Sequence, residues 1–206
     1  DGSRASGMTL LMVAMTCGHT ELAEELLRRG ADVSLQKSDG GTALSLAATN
    51  GRENLVELAL RHGAEVDRKN SDGGTALMVA AAYGREKLVE LALRHGAAID
   101  LQANNGDTAL IITAFFGHPA ALLCLLRAGA DVTVCTTDGW TALLLAKKKG
   151  HAGCVRALAE QAAAEKAAEK AAAEAAGAAG AAERAAQRAA EEKEAARHAE
   201  ELLAEI

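Results

Sequence analysis

The side chains in this sequence best suited to catalysis or metal binding are its cysteines and histidines. Cys17 and His19 lie two residues apart, and a thiol activated by an imidazole is a common nucleophile. No acidic residue is placed in the sequence to orient His19, so the pair lacks the third group of such a site. His62 and His95 lie 33 residues apart, but two imidazoles alone make a poor metal site. The sequence therefore predicts neither catalysis nor a bound metal.

The four cysteines and one glycine pair lack the sequence patterns of reactive or ligand-binding groups. Cys17, Cys124, Cys135 and Cys154 include no CxxC pair, and we expect reduced thiols, as in an intracellular protein. Gly177-Ala-Ala-Gly180 is not a phosphate-binding loop, because it follows no strand and carries no lysine. We therefore expect a protein that is not an enzyme and that needs no cofactor.

Composition and charge narrow the class of partner. The 206-residue chain has a net charge of −6, which argues against nucleic acid or an anionic membrane as its partner. No apolar run approaches the length of a membrane span, and no secretory signal is visible. Half of the residues are hydrophobic but only 2% are aromatic, so alanine and leucine must build the core. We expect a cytoplasmic protein whose partners are proteins.

The elements that position these residues follow a repeat of 33 residues. Residues 40–69 recur almost unchanged as residues 73–102, and a Thr-Ala-Leu or Thr-Leu-Leu triplet begins each unit. The threonines of these triplets are Thr9, Thr42, Thr75, Thr108 and Thr141. A strict period of this length indicates stacked units, each of which contacts only its neighbours.

One unit consists of a helix, a turn, a second helix and an extended finger. Thr9 can cap the first helix with its hydroxyl, and Gly18 ends that helix. The second helix is predicted from Thr20 to Arg29, with leucines at helical spacing on one face, and Gly30 ends it. Acidic and basic residues four apart support the second helices; the pairs include Glu25 with Arg29, Glu57 with Arg61, and Glu90 with Arg94. Turn-forming residues before the next threonine predict a projecting finger.

Together these features resemble the ankyrin repeat from about residue 4 to residue 160. The resemblance rests on the 33-residue period, the Asp-Gly-x-Thr-Ala-Leu starts, the Ala-Ala-x-x-Gly helix ends, and Gly-Ala-Asp-Val at 30–33 and 129–132. The family usually has Thr-Pro-Leu-His where this chain has Thr9-Leu10-Leu11-Met12 and four similar tetrapeptides without proline or histidine. We expect the fold to survive this change, because apolar replacement of a satisfied polar pair is nearly neutral. The resemblance implies an all-α solenoid of five ankyrin repeats over residues 1–160.

The C-terminal part of the sequence predicts a long helix. No glycine stops the second helix of the fifth unit, and residues 161–206 are rich in Ala, Glu, Lys and Arg, the strongest helix formers. We expect the helix to continue without a break to about Ala176, in a helical extension separate from the repeats. Gly177 and Gly180 predict a kink or hinge, a close-packing site for another helix, or the turn of a hairpin. Because no leucine heptad is present, we do not expect a coiled coil.

The ankyrin resemblance also implies where a partner binds. Three positions in each repeat face the concave groove, namely the residue before the threonine and the two residues before the glycine between the helices. All four aromatic residues of the chain lie at these positions, in repeats three to five, and aromatic side chains dominate binding hot spots. The predicted partner-binding residues are Tyr83, Asp107, Phe115, Phe116, Trp140, Lys148 and Lys149. The alternative for Phe115 or Phe116 is packing between neighbouring repeats.

Two functions are consistent with this sequence. The first is a non-catalytic interaction module that binds a protein partner on its concave face. The second is a structural component of a large assembly, in which the repeats dock on one protein and the alanine-rich helix bridges to another. The charged, alanine-rich tail is similar to those of ankyrin proteins in cilia and cytoskeletal lattices, which adds these structures to the expected locations. The long helix favours the second function.

Overall fold

A computed structural model describes residues 7–204, and for residues 176–181, 185, 189, 190, 192 and 194–204 it describes the backbone alone. The described residues form ten helices in five pairs, which we number as repeats one to five. The first helices are α1 (Leu10–Cys17), α3 (Ala43–Thr49), α5 (Ala76–Ala82), α7 (Ala109–Phe116) and α9 (Ala142–Lys149). The second helices are α2 (Thr20–Arg28), α4 (Glu53–Arg61), α6 (Glu86–Arg94), α8 (Pro119–Arg127) and α10 (Ala152–Ala204).

Threonine caps begin all five first helices, as the sequence predicts. The hydroxyl oxygen of each cap accepts a hydrogen bond from the backbone N–H three residues later. This bond satisfies one of the amides that the start of a helix leaves without a partner. In repeat two the Ser45 hydroxyl accepts a bond from the Thr42 N–H at 2.9 Å. Met78 and Ile111 take the place of Ser45 in repeats three and four, at the position where ankyrin repeats usually have histidine. Both side chains are buried.

The repeats stack in two layers. Each first helix packs on the first helix of the next repeat from α1 to α9, and α2, α4, α6 and α8 pack in the same way. Leu44, Leu77 and Leu110 of the first helices are almost fully buried. Ala47 and Ala80 are buried too, and their small side chains let neighbouring helices approach closely. The core is continuous along the stack, which confirms the all-α solenoid predicted from the repeat.

Backbone hydrogen bonds tie neighbouring fingers together. The N–H of Ser71 donates to the Asp39 carbonyl at 2.9 Å, and the N–H of Asn104 donates to the Asp72 carbonyl at 2.9 Å. Isolated antiparallel bridges also close the fingers that precede repeats two and five. Because each finger is bonded to the next, the fingers keep a fixed position relative to the first helices.

The last helix continues far beyond the fifth repeat. α10 is 53 residues long, and Cys154 and Leu158 fix its first turns in the stack, with 0% and 2% of their surfaces exposed. The predicted continuation to Ala176 is confirmed, and the backbone of Gly177 and Gly180 is helical as well. The hinge near 177–180 stays a prediction.

The chain divides into two compact units, Asp1–Glu160 and Gln161–Ile206. In the second unit, residues 163–175 are exposed on every side of the helix. Lys170 and Glu174 lie one turn apart there, with 3.8 Å between the ammonium and the carboxylate. Within residues 7–204, no helix combines the length and the apolarity needed to cross a membrane.

Two of the predicted acid–base pairs form on the second helices. Glu25 and Arg29 approach to 2.5 Å, and Glu57 and Arg61 approach to 3.0 Å. In place of the predicted pair with Arg94, the Glu90 carboxylate accepts a hydrogen bond from the thiol of a neighbouring repeat. A pairing within one helix is therefore replaced by a contact between two repeats.

Candidate partner-binding surface

The aromatic side chains of repeats three and four are open to solvent. Tyr83 follows the last residue of α5 and is 54% exposed. Phe115 and Phe116 end α7 and are 37% and 52% exposed. The buried positions of that helix carry smaller side chains such as Leu110. Neither phenylalanine is buried between repeats, which removes that alternative. Trp140, directly before the Thr141 cap, is half-buried against the core.

Repeats four and five together form an aromatic cluster, which we define as Phe115, Phe116, Trp140, Lys148 and Lys149. The two phenylalanine rings meet edge to face, with centroids 5.0 Å apart and planes at 79°. The Lys149 ammonium lies 4.2 Å from the centroid of the Phe115 ring. The Lys148 ammonium lies 4.1 Å from the centroid of the Trp140 ring. Five of the seven predicted residues therefore lie in two contacting groups, at the C-terminal end of α7 and at the two ends of α9.

The ammonium groups of the two lysines lie against the rings of this cluster, and both lysines remain exposed to solvent. An ammonium over an aromatic face is attracted to the ring quadrupole, by about 0.5–1 kcal/mol at an exposed site. Lys148 and Lys149 are exposed, and they lie in the last turn of α9, where positive charge also complements the helix dipole. Apolar ring surface and positive charge are thus presented side by side.

His118 connects the aromatic cluster to Tyr83. Its ring stacks on Phe116, with centroids 6.4 Å apart and planes at 22°. Its Nε2 lies 3.0 Å from the carbonyl oxygen of Ala82, directly before Tyr83 in the preceding repeat. A carbonyl oxygen only accepts, so Nε2 carries a proton and donates. The ring therefore joins repeats three and four at the edge of the surface.

Sequence reasoning missed His118, although its position in the repeat contained a signal. Arg52, Arg85, His118 and His151 all follow the glycine between the two helices, at intervals of 33 residues. His151 Nε2 lies 3.0 Å from the Phe115 carbonyl oxygen, and an Arg52 guanidinium nitrogen donates to the Cys17 carbonyl at 3.4 Å. A long donor at this position can reach back over the preceding repeat, which single-repeat reasoning does not reveal.

The other two predicted residues lie in an acidic groove, which we define as the depression that contains Asp72, Tyr83 and Asp107. It has a volume of about 560 Å³, and its walls come from α5, the start of α7 and the fingers before repeats three and four. Asp107 is half-buried, and its carboxylate accepts a hydrogen bond of 2.6 Å from the Asn105 side chain. Asp72 is exposed at the finger tip. Sequence reasoning did not select Asp72, because finger residues were interpreted only as turn formers.

Comparison with known families agrees with this architecture. The sequence profile described as ankyrin repeats in three copies matches residues 1–70, 47–134 and 110–185, which together cover most of the chain. The chain belongs to the ankyrin-repeat family. Ankyrin repeats generally mediate protein–protein interaction, and the family is generally non-catalytic. A search of curated proteins finds no match.

One group of side chains in the ankyrin repeats has the spacing of metal ligands. Among residues 7–204 this group is Glu86, Glu90 and Cys124, whose ligand atoms lie within 4.8 Å of one another. Burial, together with the negative charges of the two glutamates, raises the pKa of the Cys124 thiol to about 11. The thiol therefore keeps its proton at neutral pH and donates to the carboxylates at 3.7 and 3.6 Å. A protonated thiol is a poor nucleophile, and its bonds to Glu86 and Glu90 form a contact between repeats three and four.

The candidate catalytic and metal pairs of the sequence have other environments. Cys17 is an exposed, free thiol at the end of α1. His95 Nε2 lies 3.5 Å from a carboxylate oxygen of Glu57 in the preceding repeat.

Proposed function

We propose that this ankyrin-repeat protein is a non-catalytic interaction module that binds a protein partner on the concave face of repeats three to five. The observation that carries the proposal is the placement of the aromatic residues. Tyr83, Phe115 and Phe116 are exposed and Trp140 is half-buried, while leucine and alanine fill the core. In a chain with so few aromatic residues, their concentration on one surface supports a contact role, since hot spots are enriched in tryptophan and tyrosine.

The rigidity of the surface also supports this proposal. The aromatic residues lie at the ends of packed helices, and the lysines beside them rest on ring faces. A surface that is ordered before binding loses little conformational entropy when the partner arrives. Its rings can therefore contribute most of their burial energy to affinity.

A photo-crosslinking experiment identifies the partner. Benzoylphenylalanine is placed at Phe116, or at Leu123 as the control, and the variants are incubated in extracts of the native source. Leu123 is 38% exposed on α8, so it matches Phe116 in apolarity but lies on a second helix. We expect a protein that crosslinks from position 116 and not from position 123.

The identified protein is then produced and its affinity for this chain is measured. Tyr83→Ala and Trp140→Ala should each weaken binding by about 2 kcal/mol or more, roughly 30-fold, whereas Leu123→Ala should leave the affinity unchanged. If Tyr83→Ala, Trp140→Ala and Leu123→Ala all bind the partner as tightly as the parent chain does, the partner binds elsewhere.

A second function is supported by the length of α10. In this alternative the chain is a structural component of a large cytoskeletal or ciliary assembly, with the repeats docked on one protein and the alanine-rich helix bound to another. The 53-residue helix, roughly 80 Å long at 1.5 Å per residue, has the reach for such a bridge. Crosslinking mass spectrometry on the native assembly should then join residues 161–204 to a protein that the repeats do not contact. A protein that is soluble and monomeric alone, with all crosslinks from the repeats, would favour the first function.

A further inference from the structure

The two halves of the proposed binding surface carry opposite charge. In the acidic groove, the carboxylates of Asp72 and Asp107 lie beside Tyr83. In the aromatic cluster, the ammonium groups of Lys148 and Lys149 lie over ring faces. The surface therefore runs from negative in repeat three to positive in repeat five, with aromatic side chains between.

The negative charge of the acidic groove is not neutralised within the chain. Among the side chains that the structure describes, no ion pair within 4.0 Å joins Asp72 or Asp107 to a base. The neighbouring finger differs, because there Asp39 pairs with Lys37. The Asn105 amide holds Asp107 in place without cancelling its charge. Both carboxylates therefore remain free to accept a cationic side chain.

The positive charge of the aromatic cluster is likewise uncompensated. Lys148 and Lys149 contact rings rather than carboxylates, and Lys147 adds a third exposed ammonium one residue before them. None of the three lysines forms an ion pair within the described part of the chain. The overall charge of the protein is −6, so this end of the surface is a local exception that suits an acidic side chain.

The distance between the two ends sets the size of the segment that can contact both. Asp72 precedes the helix of repeat three and the lysines end α9 of repeat five, so two repeat steps separate them. Adjacent helices pack about 8–10 Å apart, which gives roughly 20 Å for two steps, and the eight residues of α9 add about 12 Å along the helix axis, so the two ends lie roughly 23 Å apart. An extended chain rises about 3.3 Å per residue and covers that distance in about seven residues.

We infer that the partner presents an extended segment with a basic side chain at one end, an acidic side chain about seven residues away, and apolar or aromatic residues between them. The basic side chain lies in the acidic groove beside Tyr83, and the carboxylate lies between Lys148 and Lys149. The apolar residues cover Phe115, Phe116 and His118. This inference rests on the proposed function and adds the charge pattern of the partner.

The test is selection of random twelve-residue peptides displayed on phage, against the full chain. We expect selected peptides to carry Lys or Arg about seven residues from Asp or Glu, in either chain direction. Synthetic copies of the best peptide should bind more weakly as salt is raised, because exposed charge pairs are screened.

Charge-removing variants locate each end of the peptide. Asp72→Asn with Asp107→Asn should weaken binding of the selected peptide about two- to fivefold for each lost pair, and should not affect a peptide without its basic residue. Lys148→Gln with Lys149→Gln should weaken binding of the selected peptide to a similar extent. This variant should not change the affinity for a peptide that lacks the acidic residue. Thermal melts of each variant confirm that the repeats remain folded, and Lys69→Gln, on a finger, is the charge control.

The outcomes separate this inference from the proposed function. One outcome is that the selected peptides lose binding to Trp140→Ala and yet show no pattern of basic and acidic residues. That result would overturn the inference and leave the proposed function standing. If the selected peptides bind Trp140→Ala and Tyr83→Ala as tightly as the parent chain, the result contradicts both the inference and the proposed function. Tighter binding of a single-stranded oligonucleotide than of any peptide would also overturn the inference, since only the lysines would then be used.

Discussion

At the scale of single residues, Leu110 and Phe116 lie on the same helix in opposite environments. Leu110 is 1% exposed and Phe116 is 52% exposed. Removing a buried side chain leaves a cavity that the packed surroundings do not fill, whereas removing an exposed side chain leaves only more solvent. The two positions therefore provide a direct comparison of core and contact residues within α7.

We expect Leu110→Ala to lower the free energy of unfolding by about 2–5 kcal/mol. Phe116→Ala and Tyr83→Ala should each cost about 1 kcal/mol or less, because the Phe116 ring loses only its partial contacts with Phe115 and His118. Urea denaturation followed by circular dichroism measures all three. A loss for Phe116→Ala as large as that for Leu110→Ala would place the ring in the core.

The environments of the cysteines predict two classes of thiol reactivity. Cys17 and Cys135 are exposed, whereas Cys124 and Cys154 are buried, and burial raises the pKa of both buried thiols. The thiolate is the reactive form, so a raised pKa lowers reactivity at neutral pH. In the native state we expect dithiobis(nitrobenzoate) to modify Cys17 and Cys135 rapidly, and the other two only after denaturation.

The pH dependence of Cys124 has a defined sign. Its folded pKa of about 11 lies above the ordinary thiol pKa of 9.0, so protonation favours the folded state. The resulting stabilisation is fully present below pH 9 and is lost as the pH rises through 11. In Cys124→Ala the unfolding midpoint should change less between these two pH values than in the parent chain; an equal change would remove the thiol as the cause.

At the scale of elements, the link between repeats three and four depends on a glycine. Gly84 has a φ of +61°, and a Cβ there would lie 2.6 Å from Nδ1 of His118. Gly63 also has a positive φ, +85°, but a Cβ there would meet nothing within 4 Å. The two glycines therefore separate the cost of backbone strain from the cost of the clash.

Gly63→Ala should cost about 1–2 kcal/mol of stability, the strain of an L residue in this region. Gly84→Ala should cost at least about 1 kcal/mol more, because the His118 ring must leave the Ala82 carbonyl to avoid the new methyl group. Adding His118→Ala to Gly84→Ala should relieve the clash. If the Gly63 and Gly84 variants melt at the same temperature, the ring does not constrain this boundary.

At the scale of the whole molecule, the two compact units predict that the extension is dispensable for folding of the repeats. Deleting residues 162–206 removes helix that has no described buried side chain, and leaves Cys154, Ala157 and Leu158 in the stack. Far-UV circular dichroism should lose helical signal, while the unfolding transition of the repeats stays where it was.

Deleting residues 152–206 provides the matched control. This deletion also removes the buried Cys154 and Leu158 and so exposes the core surface on which they pack. The melting temperature of the stack should therefore fall. Unfolding of the repeats in the shorter deletion would show instead that the extension packs on them.

The order and type of the elements could be read from the sequence because they depend on local interactions. A threonine cap bonds three residues ahead, a glycine stop acts within one turn, and the 33-residue period repeats both five times. The same local rules predicted the continuation of α10, where alanine and charged residues favour helix and no glycine lies between Leu158 and Gly177. Family membership followed from the same pattern.

The contacts between repeats were decided only by the tertiary structure. Glu90 could pair with Arg94 by helical spacing, yet it accepts a bond from Cys124, 34 residues later. His118 reaches Ala82, 36 residues earlier, and Asp72 shares a groove with Asp107. Such distances depend on the separation and rotation of stacked helices, which a one-dimensional period does not specify. The sequence by itself therefore determined the repeat, its caps and its helices, and the stacking decided which side chains form the acidic groove and the aromatic cluster.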